Sequence, residues 1–304
     1  VSTAGERTLI LGRSGQIGQA LVALGPLLGD VVALGRAETD FETPHALRSV
    51  IQELRPQAII IAAAYTAVDR AESEPERAMA VNAHAPAVIA EEAERVGACV
   101  VYYSTDYVFD GSGSDAWRES DATGPLSVYG RSKLAGEQAV ANARRHLTFR
   151  TSWVVSPVGT NFVRTMLRLA AERSELRVVD DQVGAPTNAS RIAEVTATVL
   201  REMRAASADD SRWGTYHVAS AGETTWYGVA RAVLARAAAR GMPLRCNPDA
   251  VVPIPTSAYP TAAVRPLNSR LSTARVQATF GVRMPDWTDE IASTVDHLCS
   301  GIQQ

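Results

Sequence analysis

The chain has 304 residues, 46% of them hydrophobic and 21% charged, and its 30 basic and 33 acidic side chains leave a formal net charge of −3. That apolar content can fill one large core or two smaller ones, and a near-neutral balance with scattered arginines excludes the massed positive surface that nucleic acid or an anionic membrane selects. Three widely spaced cysteines and five histidines without helical-turn spacing provide neither a disulfide framework nor a sequence-local metal site.

No apolar run approaches the roughly 18–20 residues that a membrane-crossing helix needs, and residues 1–7 lack the basic, apolar, small-residue order of a secretion signal. The expectation is a cytoplasmic protein with a small-molecule partner, and with neither nucleic acid nor membrane as partner. One oddity stands out: of the 30 basic side chains, 29 are arginine and only Lys133 is lysine. A site that kept its lysine is the first to question.

From the N-terminus, short β-branched apolar runs at 8–11, 31–34, 58–62, 99–104 and 148–153 alternate with segments of helical period at 16–24, 44–54, 74–95 and 128–142. This is the pattern of βαβ units, and it predicts an α/β fold with a doubly wound, Rossmann-type parallel sheet that binds its ligand at the carboxyl ends of the strands. After about residue 150 the texture changes. Helical stretches at 161–172, 190–205 and 227–240 are separated by proline-containing segments, and prolines crowd 243–266 too densely for regular structure. The division expected is a dinucleotide-binding domain over 1–150 and a smaller C-terminal substrate-binding domain over 151–304, with 215–220 returning as a strand of the main sheet.

The first strand runs into Gly12-Arg-Ser-Gly15-Gln-Ile-Gly18 and then a helix. The spacing is G-x-x-G-x-x-G, yet it meets the same needs as the dinucleotide fingerprint. Gly12 allows the tight turn, Gly15 lets backbone approach a pyrophosphate, Gly18 permits close helix–sheet packing, and the helix N-terminus faces the phosphates. A plain structural turn is the alternative. At the end of the second strand stands Arg36, and no acid occupies the strand end, which favours the 2′-phosphate of NADPH over NADH; a solvated arginine reads equally well there. Asp40 and Phe41 are placed to pack around an adenine. Ala62, Ala63, Ala64, Tyr65 and Thr66 end the third long strand with mostly small side chains, which lets a cofactor lie on the backbone, although strand packing also explains the alanines.

Lys133 follows Tyr129 by four residues, so on a helix the phenol and the ammonium share a face. The pair suits carbonyl reduction: a neighbouring cation stabilises a phenolate and lowers the phenol pKa from near 10, and the ammonium can bond ribose hydroxyls. Arginine's broad fork fits neither task. With 8 tyrosines in 304 positions, a randomly placed single lysine falls four after a tyrosine about 3% of the time, which weighs against a chance survivor. Upstream, the fourth strand ends in Thr105 and Asp106, where a hydroxyl can hydrogen-bond a substrate carbonyl beside the phenol.

Together these residues resemble the extended short-chain dehydrogenase/reductases, and more narrowly the dTDP-4-dehydrorhamnose reductase family. The resemblance runs through Ala62-Ala-Ala-Tyr-Thr-Ala-Val-Asp69, Ser104-Thr-Asp-Tyr-Val-Phe-Asp-Gly111, 128–137, Arg150-Thr-Ser-Trp153, Asn161-Phe-Val-Arg-Thr-Met-Leu-Arg168, Asp181-Gln-Val-Gly-Ala-Pro-Thr187 and 259–270. It implies a catalytic set of Thr105, Tyr129 and Lys133. It also implies a phosphate turn at Gly15, Gln16 and Ile17, further cofactor contacts at Asp40, Phe41, Ala64 to Thr66 and Tyr103, and sugar-nucleotide contacts at Val68, Thr105, Asp106, Tyr129 and Trp153. The implied reaction moves a hydride from NADPH to carbon 4 of dTDP-4-dehydro-L-rhamnose, with Tyr129 protonating the new alkoxide. Some members bind magnesium at a dimer contact through glutamates, where this chain has Ala20 and Ser190, so no metal is expected and the chain is expected to be a monomer or a weak homodimer. The family often carries an acid where Gly35-Arg36 stands, so NADH should be the weaker cofactor. Related dehydratases need a second acid after the threonine, where this chain has Tyr107. A non-catalytic nucleotide-binding regulatory subunit and a reductase of a different 4-keto sugar nucleotide are the functions that compete with this one.

Overall fold

A computed structural model describes residues 6–300, so the first five residues of the 1–7 segment read for a signal, and the last four of the chain, lie outside the described residues. The five apolar runs and the returning segment form one parallel sheet: β1 (Arg7–Leu11), β2 (Asp30–Leu34), β3 (Ala58–Ile61), β4 (Cys99–Thr105), β5 (His146–Thr151) and β6 (Gly214–His217), in the order β6-β5-β4-β3-β1-β2. The order reverses between β1 and β3, and the crevice of a doubly wound sheet opens at such a reversal, above the carboxyl ends of the strands.

Period-two alternation within each strand sends side chains to opposite faces. Ile10, Ile60, Val101, Tyr103 and Phe149 pack with Leu21 of α1 (Gln16–Ala23) and with Ile192, Val199 and Leu200 of α5 (Ala189–Met203). Leu9, Leu11, Ile59, Ile61, Val100 and Tyr102 pack on the other face, with Leu47 and Ile51 of α2 (His45–Leu54) and Ile89 of α3 (Ala85–Val96). Because both faces are covered, the strands read in the sequence as continuous apolar runs. The remaining sheet helix, α4 (Val128–Val140), follows β4.

The 74–95 helix is present in three pieces, Pro75–Met79, a wide π turn at Ala80–His84, and α3. The cause is Pro86. Lacking an N–H, it cannot bond the Asn82 carbonyl one turn back, and the Tyr102 hydroxyl donates to that carbonyl instead, at 2.9 Å. The turn also frees the Asn82 side chain, which accepts from Tyr65 N–H at 2.8 Å and donates to Ser132 Oγ of α4 at 2.9 Å. A loop at the mouth of the crevice is thereby tied to the helix beside it.

A second apolar cluster lies in the C-terminal half, where Val163, Met166, Val233, Leu234, Ile291 and Val295 join the helices Phe162–Glu172, Trp226–Ala239 and Trp287–Ser300. Two expectations need correction. The proline-dense 243–266 segment holds a strand, Val251–Ile254, paired in parallel with Leu176–Val179; in a two-stranded ribbon Pro253 can turn its missing donor away from the single partner. The fifth strand stops at Thr151, short of 153, because Trp153 adopts a left-handed backbone, φ 48°. The helices Ala274–Phe280 and Trp287–Ser300 have no counterpart in the elements read from the sequence.

Between α4 and β5, Glu137 accepts from Arg150 Nε at 2.9 Å and Nη2 at 2.7 Å, with both side chains only 7% exposed. Removing one partner of a buried pair leaves an uncompensated charge or donor. Glu137→Gln and Arg150→Met are each expected to lower the unfolding free energy by about 3–5 kcal/mol in urea titrations, and the double variant by less than their sum. Single variants as stable as wild type contradict this.

Candidate active site

A cleft of about 720 Å³ opens above the carboxyl ends of the sheet, and its wall includes Gly12, Gly15, Gln16, Ile17, Arg36, Asp40, Phe41, Ala62 to Thr66, Val68, Tyr103, Thr105, Asp106, Tyr129, Lys133 and Trp153. Among the candidate site residues, Gly18 alone is absent from that wall. It lies behind the turn, where a Cβ would stand 2.0 Å from the Gly12 carbonyl, so it serves the helix–sheet approach and not a ligand.

At Gly12, φ is 103° and a Cβ would come within 2.4 Å of Ala63 N, which leaves room for glycine only. The Gly12 and Arg13 amides donate to the Leu34 carbonyl, at 2.8 and 3.1 Å, pulling the turn across the end of β2. Gly15 is the extended N-cap residue of α1, and nothing stands closer than 3.6 Å to where its Cβ would be. That space, in front of the first-turn amides of a helix, is an open cradle for a diphosphate. Ala62 and Ala63 both donate to Leu11 O at 2.8 Å, so backbone and methyl groups floor the next part of the cleft.

At the adenosine end the reading of the second strand is corrected. An acid does stand there: Glu38 folds back to accept from Gly35 N–H at 3.0 Å and pairs with Arg13 at 2.7 Å, and the Gly35 amide holds its carboxyl below the usual range. The turn that returns it could not be seen from spacing. Arg36 is exposed and pairs with Glu42, which also binds Arg77.

The opposite wall is β4 and α4. Ser127 caps α4 by accepting from Gly130 N–H at 3.1 Å. One turn apart, Tyr129 and Lys133 both reach the cleft. The Lys133 ammonium donates to the Tyr103 carbonyl at 2.6 Å and lies 3.9 Å from the centre of the Tyr102 ring. Burial pushes its pKa down to about 7, and the Glu137 carboxylate opposes that shift. Thr105 Oγ1 donates to Asp106 Oδ1 at 3.0 Å and accepts from Tyr107 N–H at 3.2 Å. The Asp106 carboxyl is pushed up to about 6 by burial, partly offset by the Ser269 and Thr105 hydroxyls, and its Oδ2 has no partner among the described residues.

The expected lowering of the Tyr129 pKa by Lys133 is not what this geometry gives. Burial raises the phenol, the Thr105 hydroxyl partly offsets the rise, and the Asp106 charge adds to it. The Lys133 ammonium is instead turned to the Tyr103 carbonyl. Tyr103 borders the cleft, but its hydroxyl is engaged with Thr196 Oγ1 at 2.8 Å.

Several wall residues escaped the sequence reading: Arg77, Thr151, Asn161 and Trp226. Asn161 donates to the Gln16 side chain at 2.9 Å, joining the C-terminal half to the phosphate turn. Trp226 stacks on Trp153 at 3.8 Å between ring centres. No local spacing links these residues to the turn or to the Tyr/Lys pair. Among the described residues, no group of three or more His, Cys, Asp or Glu side chains could hold a metal, and no helix is long and apolar enough to cross a membrane.

The family model described as the RmlD substrate binding domain matches residues 6–300. A dTDP-4-dehydrorhamnose reductase of Escherichia coli (strain K12) is 48% identical over 95% of this chain and 97% of its own length. One from Burkholderia thailandensis is 47% identical over 97% and 99%. Among solved structures, the dTDP-4-dehydrorhamnose reductase of Bacillus anthracis in complex with NADP aligns with a TM-score of 0.87 and 34% identity, covering 96% of this chain and 99% of that one.

At about pH 8, a unit above the Lys133 value, the side chain is mostly neutral, whereas an anionic diphosphate in the cleft favours the charged form. Binding of NADP+ is therefore expected to take up part of a proton, so calorimetric enthalpies in two buffers of different ionisation heat should differ for wild type and agree for Lys133→Met. Agreement in wild type contradicts a depressed Lys133.

Proposed function

The chain belongs to the dTDP-4-dehydrorhamnose reductase family, and on that premise we propose that it reduces the 4-keto group of dTDP-4-dehydro-L-rhamnose with NADPH, giving dTDP-L-rhamnose. The observation that carries this reading is the meeting of Thr105, Tyr129 and Lys133 on one wall of a cleft whose other end is an open anion cradle.

The residues fit the cofactor. The amides beyond Gly15, with Gln16 and Ile17, would hold the diphosphate; Asp40 and Phe41 would border the adenine; and Ala62 to Thr66 would leave the backbone bare beneath the nicotinamide half. When bound, NADPH supplies the hydride. Arg36 would exchange Glu42 for the 2′-phosphate, and Glu38, already taken by the Gly35 amide and Arg13, does not compete for that position. NADH, without that phosphate, is the weaker partner.

Thr105 turns its hydroxyl from Asp106 to the substrate carbonyl, and Tyr129 gives its proton to the oxygen of carbon 4 as negative charge develops there. A raised phenol pKa suits this direction of reaction, because it keeps the donor protonated at every working pH while an alkoxide is a far stronger base. The phenolate left behind would lie one helical turn from Lys133. Val68, Asp106 and Trp153, on the cleft wall, would border the sugar nucleotide. In this reading residues 1–150 serve mainly the cofactor and 151–304 mainly the substrate. The protein works in the cytoplasm as a monomer or weak homodimer, with no metal at Ala20 or Ser190.

Tyr129→Phe should lower ketone reduction by at least about 100-fold, the usual weight of a positioned general acid, while NADPH affinity stays within a few-fold. The assay follows reduced-nicotinamide absorbance with a panel of 4-keto sugar nucleotides. Unchanged turnover removes Tyr129 as donor, and absence of turnover in wild type with every sugar nucleotide removes the function.

A further inference from the structure

At the adenosine end of the cleft, two arginines from different elements converge on one carboxylate. Arg36 follows β2, Arg77 lies on the helix Pro75–Met79, and both pair with Glu42; all three residues belong to the cleft wall. Arg77 donates to Glu42 Oε1 from both Nε and Nη2, each at 3.0 Å, and Arg36 Nη2 donates to the same oxygen. Three N–H groups thus share one acceptor atom. The edge of a guanidinium is shaped to grip two oxygens at once, so a single carboxylate oxygen leaves that fit incomplete. A phosphate monoester brings three terminal oxygens and more negative charge, and it satisfies the same donors better.

The surroundings hold Arg77 in this position. Its Nη1 donates to Glu74 Oε2 at 3.0 Å, and the Tyr65 hydroxyl donates to the same oxygen at 3.1 Å. Glu74 is already matched by Arg70 at 2.6 Å, which leaves the Arg77 charge to face Glu42. On the other side, the Glu42 N–H donates to Asp40 Oδ1 at 3.0 Å, and that oxygen lies 4.0 Å from Arg36 Nε. Arg77 and Glu42 are each 32% exposed, against 68% for Arg36, so solvent and salt screen Arg36 more strongly. The better-shielded cation is the one remote from the strand end.

We propose that Arg77 and Arg36 form a two-armed site for the 2′-phosphate of NADPH, and that Glu42 is its internal placeholder. This rests on the NADPH reading above, which gives that phosphate to Arg36 alone, and adds to it a second arm and a competitor. Without cofactor, the Glu42 carboxylate keeps two like charges converged that would otherwise repel. It gives way to the phosphate and opposes it by its own charge, so Arg77 raises the preference for NADPH over NADH and Glu42 limits it.

The test measures dissociation constants of NADPH and NADH, from the fluorescence of the reduced nicotinamide, for wild type, Arg77→Met, Arg77→Lys and Glu42→Gln. Arg77→Met is expected to weaken NADPH about tenfold, a loss of ~1.4 kcal/mol, while NADH stays within about twofold. Arg77→Lys keeps the charge without the fork and should fall between wild type and Arg77→Met. Glu42→Gln should tighten NADPH about threefold, the weight of a partly exposed charge pair, and leave NADH within about twofold. Equal weakening of both cofactors by Arg77→Met, or no weakening of NADPH, overturns the second arm; a Glu42→Gln protein that binds NADPH no tighter than wild type overturns the placeholder. If Arg77→Met does not fold, Arg77→Lys decides by the same ratio of the two cofactors. Wild type that binds NADPH no tighter than NADH overturns the 2′-phosphate reading of Arg36 as well, whereas a wild-type preference for NADPH that survives Arg77→Met overturns this proposal alone.

Discussion

The close approach of α4 to β4 is the constraint on which the rest of this structure depends. Two glycines permit it. A Cβ at Gly136 would fall 2.0 Å from the Asn82 carbonyl and 2.2 Å from the Tyr102 hydroxyl, and one at Gly130 would fall 2.3 Å from the Tyr107 carbonyl. Only at that separation can the Lys133 ammonium reach the Tyr103 carbonyl, and only then does Tyr129 stand over the end of β4 where Thr105 waits. The Glu137–Arg150 pair holds the next turn of the same helix to β5, and the π turn around Asn82 makes room for the contact from the far side.

Burial at this contact then sets the chemistry. It depresses Lys133 to about 7, raises Asp106 to about 6, and raises the Tyr129 phenol. Each shift opposes the charged form, and a lysine near 7 can take up a proton when an anion enters the cleft. The charge of a bound diphosphate, and not a standing ammonium–phenolate attraction, would complete the electrostatics. This is why the sequence could place Tyr129 and Lys133 on one helix face beside the cleft while the direction of the phenol shift could not be read.

The sheet was legible because strands covered on both faces spell unbroken apolar runs, and the turn at Gly12 because its conformation admits no other residue. Lys133 was legible through composition: one lysine among 29 arginines, four residues after a tyrosine. What stayed hidden depends on partners distant in the chain. Glu38 reaches the end of β2 through a local return, Val251–Ile254 is a strand because Leu176–Val179 lies beside it, and Trp226 joins the cleft from a helix 73 residues after the Trp153 it covers. Gly18 acts in packing behind the cleft wall, the role its place in the glycine pattern gave it, and makes no part of that wall itself.

The cleft needs a compact, buried amine that can take up a proton where every other cationic position in the chain accepts a guanidinium. Lys133 is 2% exposed and fits against the Tyr102 ring and the Tyr103 carbonyl, a space a planar fork does not share. The direct measurement is NADPH-dependent turnover of the 4-keto sugar nucleotide by Lys133→Arg, with circular dichroism as the check on folding. A folded protein whose turnover falls by about 100-fold or more is expected. A folded variant with wild-type turnover would contradict it.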